Sequence, residues 1–417
     1  MKNSVRHIAV IDLKAFYSFV ECVDRGLDAW KVPLVVADKD RGKNTIVLSV
    51  SPFLKSKGVP SRLRIKDLPK GYDYIYAIPR MERYIEKSSE VVSVMGEFVS
   101  FEDIFVYSID EAFIDLTSYI NYYKKTDYEI TKMIIDKIKE ETGLQATGGI
   151  GDNFFLAKVA LDIYAKHEKS GIAIVRKKDV PEKLWPITPL SKVWGIGEKT
   201  EAKLNALGVH TMGELAHCNL SFLQNQFGVM GEQLYNHANG NDEADMHEKY
   251  IPKSTSLSVG QVLFKDYNKK NIVTIIMEMC DDLSSKLRSE NKMAQSVSIY
   301  IGYAKEGMGG FSRQMTLLSP TNETEILFKA LLEIFYKFIE DKPIRRVGIG
   351  FSKLTPASHQ QLNIFENTEK QVANQKLQTT MDEIQLKYGK NILLRASALL
   401  QDSTAIERHN QIGGHRK

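Results

Sequence analysis

Phe105-Val106-Tyr107-Ser108-Ile109-Asp110-Glu111-Ala112-Phe113-Ile114-Asp115-Leu116 sets two adjacent carboxylates, Asp110 and Glu111, between two short apolar runs. The flanks are rich in strand formers, so the stretch predicts a β-hairpin with the acid pair at its tip. Hairpin turns favour Asn-Gly or Asp-Gly; Asp-Glu gives up that geometry and crowds two like charges together. A divalent cation would relieve the crowding, because hard cations take oxygen ligands. Taken alone, the segment reads better as a solvated acidic turn, and it is the rest of the chain that overturns this.

Outward from the hairpin, His7-Ile8-Ala9-Val10-Ile11 is a nearly continuous apolar run ending in Asp12, as a buried strand would. A helix is predicted over 15–23, strands over 33–37 and 45–50, and a short basic helix over 53–57 stopped by Gly58 and Pro60. Residues 81–100 read as an amphipathic helix and 128–142 as another. This order predicts an α+β domain with helices on one face of an antiparallel sheet. Pro181, Pro186 and Pro189 mark a boundary, after which 190–244 reads as wholly helical. Pro252 opens a further segment with strands near 257–264, 296–303, 313–318 and 345–351, interleaved with helices over 271–289 and 323–340. That is a second β-α-β-β-α-β order. Beyond about residue 356 the chain turns polar and rich in Gln and Asn.

At 417 residues the chain exceeds one core, so several units are expected. Lys and Arg number 56 against 52 acids, a net charge of +4, so binding to phosphate must come from local basic clusters. Cys22, Cys218 and Cys280 are far apart with no CxxC spacing, which argues against a disulfide framework and a zinc site. No apolar run reaches the roughly 18 residues that span a bilayer. Asp12 interrupts the apolar stretch at the N-terminus, unlike a signal peptide. A soluble cytoplasmic protein is expected, with no membrane partner.

Two-metal phosphoryl transfer needs acids from separate strands converging on cations about 4 Å apart. Asp12 and the hairpin acids would meet that need if their strands were neighbours, although Asp12 alone also fits a helix N-cap. Ile11-Asp12-Leu13-Lys14-Ala15-Phe16-Tyr17 and Ser108-Ile109-Asp110-Glu111-Ala112-Phe113-Ile114-Asp115 resemble the two metal-binding motifs of the Y-family, or lesion-bypass, DNA polymerases. The form Asp-x-x-Ala-Phe-Tyr is closest to the UmuC-like branch, and the resemblance spans residues 5–417. It implies a multidomain α+β right hand: palm at 1–36 and 82–180, small fingers at 37–81, and a helical thumb at 181–245. An α+β little finger domain at 250–356 and a C-terminal tail at 357–417 would follow.

By matching position, the resemblance makes Asp12, Asp110 and Glu111 the catalytic ligands of two Mg²⁺ ions, with the Leu13 carbonyl completing the shell. Tyr17 takes the steric-gate position beneath the sugar of an incoming nucleotide, where Phe16 is a packing residue. The fingers of the family usually offer a Tyr and an Arg ahead of a Gly-Val pair; counted back from Gly58-Val59, this chain has Pro52 and Lys55. Lys55 is a point charge without the fork of Arg, and Pro52 brings no hydroxyl. Thr147-Gly148-Gly149-Ile150-Gly151-Asp152-Asn153 resembles a palm segment of the family and meets neither the GxGxxG nor the P-loop pattern. Lys166 matches a palm lysine on the triphosphate; Lys158 is divided between that role and a surface one.

Val193-Trp194-Gly195-Ile196-Gly197-Glu198-Lys199-Thr200 is a helix-hairpin-helix signal. Gly195 and Gly197 would let backbone approach a DNA phosphate, with Lys199 and Thr200 opening the next helix. Arg345, Arg346, Lys265, Lys269 and Lys270 are basic spots that would grip template backbone. Gln361-Leu362-Asn363-Ile364-Phe365 resembles the peptide by which bacterial polymerases dock on the sliding clamp: Gln361 for a polar pocket, Leu362, Ile364 and Phe365 for an apolar groove. The implied partners are primer-template DNA, deoxynucleoside triphosphates and the clamp, around a single catalytic chain. The implied activity is error-prone lesion bypass without proofreading, of the kind used in SOS mutagenesis. A catalytically silent DNA-binding subunit and a two-metal nuclease are the competing readings.

Overall fold

The computed structural model describes residues 6–248, 252, 254–304, 309–357 and 368–417. The chain divides into two compact units, residues 1–249 and 250–416. The first runs β1 (Ile8–Leu13), α1 (Phe16–Asp24), β2 (Leu34–Val36), β3 (Ser49–Val50), α2 (Pro52–Ser56), β4 (Ile75–Ala77) and α3 (Met81–Gly96). It continues through β5 (Ile104–Val106), β6 (Glu111–Asp115), α4 (Tyr119–Tyr123), α5 (Asp127–Thr142), β7 (Ala146–Gly151), α6 (Phe154–Val159) and β8 (Ile172–Val175). Four short helices close it: α7 (Glu198–Ala206), α8 (Met212–Ala216), α9 (Leu220–Phe227) and α10 (Val229–Ala238).

The central sheet has the order β5-β6-β1-β7-β8. It is antiparallel except at its far edge, where β8 runs parallel to β7. This corrects the fully antiparallel expectation. The chain leaves β7 through α6, whose helix continues to Ala165 in wider turns, and such a crossover returns it in the same direction. Helices also cover both faces of the sheet, where one was expected. A Cβ on Gly149 would lie 2.2 Å from the Ala157 carbonyl oxygen, so α6 rests on bare strand. On the opposite face, a Cβ on Gly148 would meet Thr131 of α5 at 2.8 Å. Burial from both sides explains why Ile8–Ile11 reads as a continuous apolar run and does not alternate.

A separate sheet, β3-β2-β4, has its own small core of Val35, Val47, Val50, Leu54 and Val59. Its longest helix is the five-residue α2, begun by Ser51, whose hydroxyl accepts from the Leu54 amide. Pro52 occupies the first turn, where its missing N–H costs nothing. The four later helices pack Leu204, Met212, Leu215, Leu223 and Leu234 into one core with Phe155 and Leu156 of α6.

The second unit runs β9 (Ser256–Tyr267), α11 (Ile272–Ser289), β10 (Lys292–Tyr303), β11 (Gly310–Thr321), α12 (Thr324–Phe338) and β12 (Ile344–Pro356). The strands pair antiparallel in the order β11-β10-β12-β9. Both helices bury one face around Ile276, Met279, Leu331 and Phe335. Residues of the other face, among them Val262, Tyr300 and Leu318, stay exposed. The polar C-terminal stretch is folded into this unit: α13 (Thr368–Tyr388) and α14 (Ala405–His409) pack on α11. Ion pairs hold them there, with Asp382 on Arg288 at 2.5 Å, and Lys390 and Arg408 on Asp282 at 2.9 and 2.7 Å; His409 Nε2 lies 3.1 Å from the same carboxylate. No helix among the described residues is long and apolar enough to cross a membrane.

Candidate active site

Strand register assembles the acids. Asp12 on β1 lies directly opposite Glu111 on β6. The Leu13 amide donates to the Asp110 carbonyl at 2.8 Å, which fixes the loop of Asp110 against the end of β1. Tyr107 and Ser108 amides both donate to the Glu111 carbonyl at 3.0 Å, closing that loop. The hairpin of the sequence reading is present, with Asp110 in its loop and Glu111 as the first, buried residue of β6. Asp12 does not cap α1; the capping position is Ala15, in a left-handed conformation at φ 47°. Its carboxylate is therefore not used up on a helix end.

Burial pushes the Asp12 carboxyl up to about 6. Lys166 pulls it down, Asp110 and Glu111 push it further up, and Lys158 opposes them. Glu111 is likewise raised, first by burial, with Lys158 working against it. Lys158 Nζ lies 2.8 Å from each Glu111 carboxylate oxygen and 3.2 Å from Asp162. It donates to Oε2, while the enclosed Oε1 has no well-directed donor. Lys158 is buried, so its surface role is excluded. Ser108 Oγ donates to Asp110 Oδ1 at 2.7 Å. As they stand, no three Asp, Glu, His or Cys side chains among the described residues already enclose a cation position.

Lys166, held by Asp162 at 2.8 Å, and Lys55 both act on Asp12 across the site. Partial desolvation of the Lys55 ammonium lowers its pKa, as does Lys166, against the attraction of Asp12 and Asp110. Tyr17 is half-buried, and its phenol is raised by burial and then by the Asp110 charge, so its ring borders the same acids. Its ring meets Tyr84 edge-on at 4.9 Å and Phe16 at 5.4 Å; Phe16 is buried core. Tyr84 in turn donates to the fully buried Glu21, which Arg80 and Arg25 neutralise. The sequence reading missed this backing, and also Ser108, Asp162 and Arg62, whose charge reaches Tyr17. Linear spacing gives no mark of Tyr84 and Glu21, 63 residues apart, whereas Asp162 stands four residues from both Lys158 and Lys166, a helical spacing that could have found it.

Of the residues expected on DNA, Gly195 adopts φ +89° and Gly197 caps α7 at an ordinary φ of −87°. A Cβ on Gly197 would meet nothing within 4 Å, so the protein itself does not demand glycine there. Lys199 is exposed and Thr200 half-buried. In the second unit several expected free cations are paired: Arg345 with Asp266, Lys265 with Asp402 at 2.7 Å, and Lys269 with Asp341 at 4.0 Å. Arg345 sits where the β12–β9 register shifts, which turns it toward Asp266. Arg346 is exposed and has no acidic partner among the described residues. Gln361, Leu362, Ile364 and Phe365 lie outside the described residues.

Asp12→Asn is expected to stabilise chelator-treated protein at pH 7.5. The folded-state value of about 6 exceeds the ordinary 3.8, so the native state holds this proton more tightly than the unfolded chain. The penalty for ionised Asp12 is then full above about pH 6 and vanishes below about pH 4. The gain from Asn should shrink over that window in denaturant melts; a gain independent of pH, or a loss, would contradict it.

The impB/mucB/samB family model matches residues 11–162, its C-terminal domain matches 254–364, and the IMS family HHH motif matches 177–209. Over 415 residues the chain is 36% identical to the "Putative UV-damage repair protein UvrX" of Bacillus subtilis (strain 168), covering 99% of this chain and 98% of that protein. It is 32% identical to "DNA polymerase IV 2" of the same strain, with 100% of both chains covered. "DNA polymerase IV 2" of Halalkalibacterium halodurans is 30% identical, over 98% of this chain and 99% of that one. With acids, aromatic ring and lysines gathered at one sheet end and this similarity running the full length, the chain belongs to the impB/mucB/samB family, the Y-family of lesion-bypass DNA polymerases.

Proposed function

We propose that this chain is a DNA-directed DNA polymerase that adds deoxynucleotides to a primer end across damaged template, with Asp12, Asp110 and Glu111 as its catalytic acids. The observation that carries the reading is the pairing of Asp12 with Glu111 across β1 and β6, with Asp110 alongside and Tyr17, Lys55 and Lys166 around them. In domain terms the central sheet is the palm, residues 37–81 the fingers, 181–245 the thumb and 250–356 the little finger.

The donor set suits magnesium: three carboxylates and the Leu13 carbonyl are all hard oxygen, Asp12 carries charge that burial penalises, and Glu111 Oε1 lacks a directed donor. When bound, two Mg²⁺ ions supply activation of the primer 3′-hydroxyl and stabilisation of the leaving pyrophosphate. To hold them, Asp110 and Glu111 must loosen their contacts with Ser108 and Lys158. Lys158 works against the burial that raises the Glu111 carboxyl. Lys55 and Lys166 offset charge on the triphosphate as the transition state forms. The Tyr17 ring occupies the space a 2′-hydroxyl would need. Fingers whose longest helix is the five-residue α2 bring no large closing element over the new base pair, which favours tolerance of damaged templates.

The open space at Gly197 fits a thumb turn that a phosphate approaches closely, a contact blind to base sequence. Arg346, on the sheet face that α11 and α12 leave uncovered, would grip duplex backbone. Arg346→Ala should weaken primer-template binding and lower the slope of log affinity against log salt by about 1, whereas Arg345→Ala should leave the slope unchanged. Equal slopes for the two variants would remove Arg346 from the interface. Docking on the sliding clamp through residues 361–365, service as a single catalytic chain and action in SOS mutagenesis complete the reading. The deciding experiment is primer extension on a template with one abasic site. Extension past that site supports lesion bypass, and a stop before it with normal copying elsewhere overturns it.

A further inference from the structure

We propose that Trp194 and Tyr107 form a positioning contact through which the helix-hairpin-helix turn sets the loop of Asp110; this rests on the polymerase reading above. Trp194 Nε1 donates to the Tyr107 hydroxyl at 3.1 Å, and the two rings meet edge-on with centroids 6.0 Å apart. The Trp194 ring also lies 6.3 Å from Phe113, which is 5.8 Å from Tyr107. One side chain thus touches the carboxylate hairpin on both sides of its acids. Tyr107 begins the loop to Asp110 and, through its amide, clasps the Glu111 carbonyl at 3.0 Å; Phe113 sits just beyond Glu111 on β6. The residue after Trp194 is Gly195, the left-handed turn that would meet a phosphate.

Packing alone does not account for the hydroxyl. Tyr107 is 45% exposed, and Phe113 has Phe154 at 5.0 Å to hold it in the core without help from Tyr107. What the Trp194–Tyr107 bond adds is direction: it ties the start of the acid loop to the turn proposed above to meet duplex DNA. Engagement of the duplex by the turn then seats Asp110 for the primer end behind which it grips. The bond acts on the first residue of the acid loop, so its effect passes through Asp110.

Tyr107→Phe and Trp194→Phe keep aromatic rings and remove the bond. In single-turnover incorporation each should lower the maximal rate about fivefold, the worth of one neutral hydrogen bond, with primer-template affinity within about twofold of the unsubstituted protein. The double variant should be no slower than either single one, since both remove the same link. Hydrogen exchange supplies a readout apart from turnover: duplex binding should protect the amides of residues 107–111 in the unsubstituted protein and not in Tyr107→Phe. Unchanged rates, additive losses, or rates that fall only in step with affinity would overturn the proposal. Failure of the polymerase reading looks different, because the unsubstituted protein would then show no incorporation at all. In that case the exchange experiment decides alone, and duplex binding without protection of 107–111 overturns the tie.

Discussion

Asp110→Ala should cut single-nucleotide incorporation by about 10³-fold or more while leaving the protein folded. The structure explains why the two effects separate. The link between the Asp110 loop and β1 runs through backbone, from the Leu13 amide to the Asp110 carbonyl, and survives the substitution. Among the described residues the side chain has one hydrogen-bonding partner, Ser108, in a partly buried loop. Removing the carboxylate also relieves Asp12, whose pKa the Asp110 charge helps to raise. Thermal melting should therefore stay at or slightly above its wild-type midpoint. Templated growth retained within tenfold in Asp110→Ala would end the assignment of catalytic acids, and strand cleavage in place of growth would point to a nuclease.

Tyr17→Ala should lower the preference for deoxynucleotides over ribonucleotides by about 10²-fold or more, with deoxynucleotide incorporation much less affected. A ring rejects a hydroxyl only if it cannot step aside. Tyr17 is backed by Tyr84 and Phe16, and Tyr84 is anchored by its bond of 2.7 Å to buried Glu21. Tyr17→Phe should keep the preference, because the ring and not the phenol makes the barrier. Competition between labelled ATP and dATP on one template measures the ratio; an unchanged ratio in Tyr17→Ala would show that the sugar lies elsewhere.

The carboxylate hairpin, β1 and the β-α-β-β-α-β unit were legible because strand formers, helix periodicity and turn residues are local signals. The parallel edge strand β8 was not, since its direction follows from how the α6 crossover is seated on β7 and not from its own residues. Lys158 stayed divided between a triphosphate role and a surface one because its partner, Glu111, lies 47 residues away in the chain. Arg345 and Arg346 are indistinguishable as adjacent arginines; only the register shift beside Ile344 separates a paired side chain from a free one. The packing of the polar tail was not legible for the same reason, its cations answering acids on α11 that precede it by about a hundred residues.

Gly149 and Gly151 bear on the chemistry although both lie against α6. A single methyl group on that floor would lie 2.2–2.3 Å from α6 backbone and lift the helix. The same helix carries Lys158, so the lift would draw its ammonium away from Glu111 and leave an enclosed charge uncompensated. The smoothness of one strand thus sets the electrostatics of its neighbour but one.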